Sequence, residues 1–402
     1  MLELEQALRI ILDGIQPLPC EIISISQAVQ RILAQPIVAP SSLPAFDNSA
    51  MDGFAIRAVD SADASPMHPV SLRRAGLIAA GTPSQDAAEP QSCIRVFTGA
   101  PLPPGADAVV MQEDTTPDPQ RSDGIQIREP VKPWENVRFK GEDIKQGEQV
   151  LSAGETVTPE KAGLLSALGL SHVTVHRRPI IALLATGSEL VEPGAPLPPG
   201  KIYESNRLTL ATLLPSLGAV PMVYPIIPDD QHSTQTALQK ALSECDGVIS
   251  TGGVSVGEKD YVKSSFEAIG GRLDFWKVAI KPGKPFVFGT WQNKSFFGLP
   301  GNPVSAFVTF LLLVRPAILR LQAAADLGMR SVPGLLGEPL ANHGDRRHFM
   351  RVRMDREGKV TLAGTQASHI LHSLARANGL VDVPPQTVLP AGSLVRVLSW
   401  SY

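Results

Sequence analysis

The sequence predicts an α/β protein of several domains. It has a central three-layer αβα domain with a mainly parallel sheet, a mostly β module, a helical or linker domain, and a small C-terminal β domain. Three observations predict this. The chain has 402 residues, more than one hydrophobic core covers, so two to four domains are expected. Strand-like and helix-like patterns alternate between Pro179 and Leu321, which marks repeated βα units and a sheet covered on both faces. The regions from Ala55 to Lys140 and from Val332 to Tyr402 instead show short apolar runs between proline and glycine turns, the pattern of β modules.

Composition narrows the function. A hydrophobic fraction of 43% with 19% charged residues describes a soluble globular chain. The 36 prolines are dispersed, well above the usual share of about 5%, and indicate many turns rather than a disordered tail. A net charge of −3 provides no general basic field, so nucleic acid is not an expected partner. No membrane span is expected: the most apolar run, Phe307 to Val314, is too short. The N-terminus reads as an amphipathic helix, not a signal peptide. Cys20, Cys93 and Cys245 lack metal-ligand spacing and read as reduced structural thiols, consistent with a cytoplasmic location. His369 and His372 belong to no zinc pattern and read as ordinary surface or packing histidines.

Taken in order, Glu3 to Ile15 places Leu4, Leu8, Ile11, Leu12 and Ile15 on one helical face. Ser26 to Leu33 reads as a second helix ended before Pro36. Leu43 to Ala55 is rich in small and polar residues; Asp47 and Asp52 there read as Asx-turn residues. Short strands follow near Val70, Ser92–Thr98, Ala108–Gln112 and Ile125–Arg128. Asp143 lies in a loop bounded by Gly141 and Gly147. Thr158, Pro159 and Gly169 read as the cap, first residue and stop of a helix expected to pack beside the N-terminal one. Strands are then expected at Ile180–Leu184, Met222–Ile227, Val248–Ser250, Phe275–Ile280, Phe286–Gly289 and Ser295–Leu299. Ser205 caps a helix, Ala237–Leu242 lies in another, a third runs to Ile269, and Pro303–Leu321 is a long apolar one. From Phe349 to Met354 alternation puts Arg351 and Arg353 on one face and Met350, Val352 and Met354 on the other.

The chemistry gathers after the strands. In Asp246 to Tyr261, the sequence DGVISTGGVSVGEKDY takes a buried strand through a turn at Gly252-Gly253 and past Ser255 and Gly257 into a helix. Paired glycines allow close backbone approach, and a helix N-terminus offers free N–H donors, which suits a phosphate or other oxyanion. Asp260 would either cap that helix or face a ligand or Mg²⁺. Glu189 and Asp229 also follow strand ends, where ligands of open α/β sheets bind. Lys277, Lys281 and Lys284 cluster beside the Pro282-Gly283 turn, with Lys277 and Lys281 on one face if the strand is regular. Pro300-Gly301-Asn302 forms a second turn at a helix N-terminus. Lysines and helix ends suit an anion, and three carboxylates beside it call for a divalent ion such as Mg²⁺, which bridges carboxylates to phosphates. These residues point to an enzyme or binding protein for a phosphorylated small molecule.

The ordered set FDNSAMDGFA (46–55), TGAPLPPGADAVV (98–110), KGEDI (140–144), ATGSEL (185–190), SNR (205–207), STGGVSVGEKDY (250–261), KPGKP (281–285) and GLPGNPVS (298–305) resembles the molybdopterin molybdenumtransferase family of MoeA type, to which the gephyrin C-terminal domain is related. The resemblance implies a four-domain subunit acting as a homodimer. Its domains would be 1–45 with 141–176 (helical/linker), 46–140 (mostly β), 177–327 (α/β, molybdopterin-binding-like) and 328–402 (C-terminal β). The implied substrates are molybdate and adenylylated molybdopterin. The dithiolene receives molybdenum, and AMP is released with Mg²⁺ in molybdenum cofactor biosynthesis. By the same resemblance Glu189, Asp229 and Asp260 line the nucleotide and metal site. Lys277 and Lys281, with Arg351 and Ser368, hold phosphate or molybdate, and Asp52 and Asp143 face the cleft from the partner subunit. Molybdopterin adenylyltransferase and apo-molybdoenzymes are the implied protein partners. Ser188 stands where the family often has Asp, which removes one carboxylate, and Phe54 where Tyr is common. Two other readings are a non-catalytic pterin-binding scaffold and a nucleotide-processing hydrolase sharing only the central domain. The retained carboxylates and lysines argue against the first, and the motifs at 46–55 and 140–144 against the second.

Overall fold

Six strands form the mainly parallel sheet of the central α/β region. They run in the order Val220–Val223, Ile180–Ala185, Gly247–Thr251, Lys294–Leu299, Pro285–Trp291, Arg272–Lys277. This computed structural model describes residues 1–82, 86–253 and 261–400. The chain divides into two compact units, Met1–Gln35 with Ala153–Thr158 and His172–Tyr402, and Pro36–Ser152 with Pro159–Ser171.

In the first unit, the four leading strands of the sheet pair in parallel. The last two join antiparallel, because Pro285–Trp291 and Lys294–Leu299 are linked by a tight turn with Gln292 at φ 54°, and a hairpin reverses the chain. Successive side chains of a strand point to opposite faces. Ile181, Leu183, Ile249 and Phe297 therefore pack on the helices Leu4–Asp13, Asn206–Leu213 and Pro303–Leu321. Ala182, Leu184, Val248 and Phe296 pack on Gln231–Glu244 and Tyr261–Ala268. These are the three layers expected.

The 19-residue helix Pro303–Leu321 contains a π turn at Phe310–Val314. By length and composition it is apolar enough to cross a membrane, longer than the run from Phe307 to Val314 read from the sequence. However, 83% of its most apolar window is buried inside the protein, as expected of a core helix that is hydrophobic all round. Other boundaries also shift. The second helix shrinks to Ile25–Ala28, since Gln30 takes a left-handed φ of 66° and Ile32 and Leu33 bridge to Thr156 and Val175. The strand expected at Met222–Ile227 is Val220–Val223. The strand expected to reach Ile280 stops at Lys277.

Ile280–Lys281 instead belongs to a second six-stranded sheet in this unit. There it pairs with Arg347–Met354, and Gly379–Val383 returns to pair with the same strand and closes the layer. Phe349 faces the core that holds the long helix, and Met350 and Val352 face the β core. The two arginines do not share an environment: Arg351 is fully buried whereas Arg353 is exposed.

The second unit holds a third sheet, ordered Ala108–Met111, Gly53–Ile56, Ser92–Val96, Val70–Ile78, Gly124–Ile127, Thr115–Pro117. Its helix Pro159–Ala167 ends, as expected, before Gly169 at φ 81°. Leu164 and Leu168 pack there with Ala39 and Ile144. That helix and Leu4–Asp13 therefore belong to different units, each with its own core.

Candidate functional site

Four segments beyond strand carboxyl ends meet in the first unit around a cavity of about 680 Å³. They are Thr186–Glu189, Asp229, the Gly252-Gly253 turn and Pro300–Asn302. Parallel pairing puts their strand ends at the same edge, the location at which open α/β sheets bind ligands. A parallel bridge from Thr186 to Ile227 holds the Asp229 segment there.

The turn requires glycine. Gly252 has φ 82°, its N–H donates to Leu299 O at 3.2 Å, and a Cβ on it would lie 2.5 Å from Thr186 O. Only a residue without a side chain fits both the left-handed backbone and that approach. Asp229 Oδ2 accepts the Ser188 N–H at 2.7 Å, so the residue that lacks a carboxylate still engages its neighbour through the backbone. Asp230 accepts Ser233 N–H at 2.8 Å and caps the next helix, which holds its carboxyl below the usual range. Thus adjacent aspartates differ in role: Asp229 lines the cavity and Asp230 starts a helix. Lys201 Nζ donates to Ser188 O.

Beneath the cavity wall lies a buried ion network that the composition did not reveal. Arg207 donates through Nε to Glu204 at 3.0 Å, through Nη2 to Glu192 at 2.8 Å, and through Nη1 to Tyr224 O. Arg207 and Glu204 are both almost wholly buried. Such a pair needs its full complement of hydrogen bonds, because charge burial is costly. Asn206 Nδ2 donates to Gly301 O at 2.8 Å and ties the SNR segment to the PGN turn.

The segment 365–373 contributes His369 and Leu371 to the same cavity. Ser368 Oγ accepts from Asn302 Nδ2 at 3.0 Å. Arg351 lies behind the segment. It donates to Ser373 Oγ at 2.9 Å, Thr365 O at 2.7 Å and Ala367 O at 3.1 Å, while buried Nη1 has no partner among the described residues. Burial lowers its pKa to about 10. Its neighbour His348 is also buried, with Nε2 unpartnered among the described residues. Burial, and then the charges of Lys281, Arg351 and Arg346, push His348 down to about 4.

The structure brings together Glu189, Asp229, Gly252, Gly253, Pro300, Gly301 and Asn302. Ser255, Gly257 and Asp260 lie outside the described residues. Lys277 and Lys281 do not line the cavity and stand in different sheets, so the shared face expected of a regular strand is not formed. Pro282 and Gly283 are buried; Gly283 has φ 110°, and a Cβ there would lie 2.4 Å from Thr309 Cγ2, which packs this turn onto the long helix. Sequence reasoning read His369 as an ordinary surface or packing histidine and passed over Tyr203, and both line the cavity. No spacing pattern marks them, although SNR pointed to the neighbourhood of Tyr203.

In the second unit three distant motifs converge. Asp47 Oδ1 accepts Lys140 N–H at 2.7 Å, and Leu102 N–H donates to Asp47 O at 2.9 Å. Asp52 Oδ1 accepts the Thr98 N–H and hydroxyl, each at 2.8 Å. The Thr98 N–H first, then its hydroxyl, holds the Asp52 carboxyl below the usual range. Asp143 is exposed on the loop whose N–H groups bond Leu43 O.

The donor chemistry at the cavity fits a hard cation. Glu189 and Asp229 supply carboxylate oxygens, and Asp229 Oδ1 remains beside the oxygen that Ser188 engages. No cluster of three Asp, Glu, His or Cys suited to a metal occurs among the described residues. Further ligands would therefore come from substrate oxygens or water.

Residues 2–169 match the MoeA N-terminal region (domain I and II), residues 182–320 a probable molybdopterin binding domain, and residues 333–400 the MoeA C-terminal region (domain IV). The chain is 39% identical over 392 residues to the molybdopterin molybdenumtransferase of Haemophilus influenzae, covering 94% of this chain and 93% of that one. It is 38% identical over 382 residues to molybdopterin molybdenumtransferase 2 of Mycobacterium tuberculosis, covering 93% and 94%. The structure of the molybdopterin biosynthesis MoeA protein from Pyrococcus horikoshii superposes with a TM-score of 0.86 at 31% identity, covering all of both chains. With motifs, fold and cavity in agreement along the whole length, the chain belongs to the MoeA family of molybdopterin molybdenumtransferases.

Proposed function

We propose that this protein inserts molybdenum from molybdate into adenylylated molybdopterin with Mg²⁺-dependent release of AMP, as a cytoplasmic homodimer in molybdenum cofactor biosynthesis. The observation that carries the proposal is the 680 Å³ cavity at the strand ends, lined mostly by the segment that matches a molybdopterin binding domain. A cavity of this size suits a nucleotide-sized ligand.

On this reading Glu189, Asp229 and Asp260 hold Mg²⁺, with the ion's remaining positions taken by substrate oxygens and water. Bound Mg²⁺ supplies positive charge against the phosphate oxygens. The N–H groups of Gly253, Ser255 and Gly257 bind and orient an oxyanion, and Gly252, whose N–H is bonded to Leu299 O, shapes the turn that presents them. Pro300, Gly301 and Asn302 form the facing wall. Lys277, Lys281, Pro282, Gly283, Arg351 and Ser368 serve phosphate or molybdate, and Arg351 does so by fixing the segment that carries Ser368. A second copy completes the site through the partner subunit's Asp52 and the partner subunit's Asp143. The four-domain division at 1–45 with 141–176, 46–140, 177–327 and 328–402 belongs to the same proposal, as do molybdopterin adenylyltransferase and apo-molybdoenzymes as partners.

The test is AMP release from adenylylated molybdopterin with Mg²⁺, with and without molybdate. Molybdate-dependent release that yields a cofactor able to activate a molybdenum-free apoenzyme is the expected result. Tight binding without release would overturn the enzymatic reading in favour of a scaffold. Absence of both would overturn the substrate assignment.

A further inference from the structure

The described side chains that line the cavity include carboxylates but few donors for a ligand that carries phosphates. The cavity's titratable side chains other than tyrosine among the described residues are Glu189, Glu204, Asp229 and His369, and no described lysine or arginine lines it. Glu204 is paired with buried Arg207. Glu189 and Asp229 remain, which the proposed Mg²⁺ would engage, so the phosphate oxygens need donors of their own. The amide and phenol groups are partly committed: Asn206 Nδ2 to Gly301 O at 2.8 Å, Asn302 Nδ2 to Ser368 Oγ at 3.0 Å, and Tyr203 OH to Ala195 O at 3.0 Å. The Thr186 hydroxyl is buried with no partner among the described residues.

His369 stands apart from this set. An imidazole offers an N–H donor in either protonation state and a second when charged. The side chain is exposed and lines the cavity, and its backbone is held on two sides. Val304 N–H at the start of the long helix donates to Ser368 O at 3.3 Å, and Arg351 clamps Thr365 O and Ala367 O. Gln366 adds a pair of bonds to the Arg351 backbone, at 2.8 and 3.0 Å. A donor carried on a fixed backbone loses less entropy on binding than one on a free loop.

We infer that His369 is a ligand-contacting residue that donates an N–H to the phosphate oxygens of the bound nucleotide. The inference rests on the nucleotide reading of this cavity.

The test uses the full chain with Mg²⁺. AMP binding is measured by titration calorimetry, and turnover of adenylylated molybdopterin by AMP release, for wild type, His369→Ala and His369→Gln. His369→Ala is expected to weaken AMP binding about tenfold and to raise KM by a similar factor with kcat nearly unchanged, since one hydrogen bond to a charged group is worth on the order of 1.5 kcal/mol. His369→Gln, which restores an N–H donor, is expected to recover part of the loss. Thermal unfolding should be parent-like in both, because the side chain is exposed. Wild-type binding and KM in His369→Ala would overturn the inference while leaving the function intact. So would equal losses in the Ala and Gln variants accompanied by a lowered melting temperature. If wild type binds no adenylate, the nucleotide reading fails and the inference falls with it.

Discussion

Acidification should destabilise the C-terminal β layer through His348, before most carboxylates titrate. His348 sits on Arg347–Met354 between Lys281 on one side and Val383 on the other. Its pKa is lowered from 6.5 to about 4, first by burial and then by Lys281, Arg351 and Arg346. The unfolded chain therefore binds more protons than the folded one between these values. Stability contributed by neutral His348 is complete above the unfolded pKa and is lost as pH falls toward the folded pKa. Linkage gives a loss of about 2 kcal/mol by pH 5 and about 3 kcal/mol by pH 4. The perturbation is pH itself, with His348→Gln as a non-titrating control. The assay is the urea midpoint from pH 7.5 to 4.5, with ring titration by NMR to identify the group. Wild type should lose stability more steeply than His348→Gln across this window, since other groups titrate in both. Parallel profiles, or a His348 ring that titrates near 6.5, would refute the argument.

Gly252→Ala should destabilise the fold by more than about 1–2 kcal/mol, because an L-residue is forced into the left-handed region against Thr186 O at 2.5 Å; an unchanged melting temperature and AMP-release rate would contradict this. Lys281→Ala should weaken molybdate or AMP binding several-fold at low salt, with the difference shrinking as ionic strength rises, since the side chain is exposed and its field is screened. Affinity equal to wild type at low salt would remove Lys281 from anion binding. Of the three cysteines, Cys20 is exposed while Cys93 and Cys245 are buried, and burial pushes the Cys93 thiol up to about 12. An aromatic disulfide reagent at pH 8 should titrate one thiol in the native protein and three after denaturation; three fast-reacting native thiols would contradict the packing.

Several parts of the site were legible because local chemistry demanded particular residues. Gly252 and Gly253 could be read from the sequence since a strand-to-turn transition at positive φ selects glycine. Glu189 and Asp229 could be read because βα periodicity locates strand ends, and strand ends locate ligands. His369 was illegible: its role depends on segment 365–373 meeting Asn302, a contact made by residues 66 apart in sequence. The pairing of Lys277 with Lys281 failed for a related reason. Alternation holds only while one strand continues, and this chain changes sheet between them.

By itself the sequence determined the βα alternation, the glycine turns, the multidomain plan and, through its ordered motifs, the family resemblance. Each is encoded in neighbouring residues through periodicity, backbone freedom or short spacing. Tertiary structure alone decided that Arg351 is buried while Arg353 is exposed, that Pro303–Leu321 is a core helix, and that Arg207 and Glu204 form a buried pair. It also decided that the cavity carries carboxylates and a histidine but no lysine or arginine among its described residues. Burial and charge balance depend on which distant segments pack together, and no local pattern carries that information.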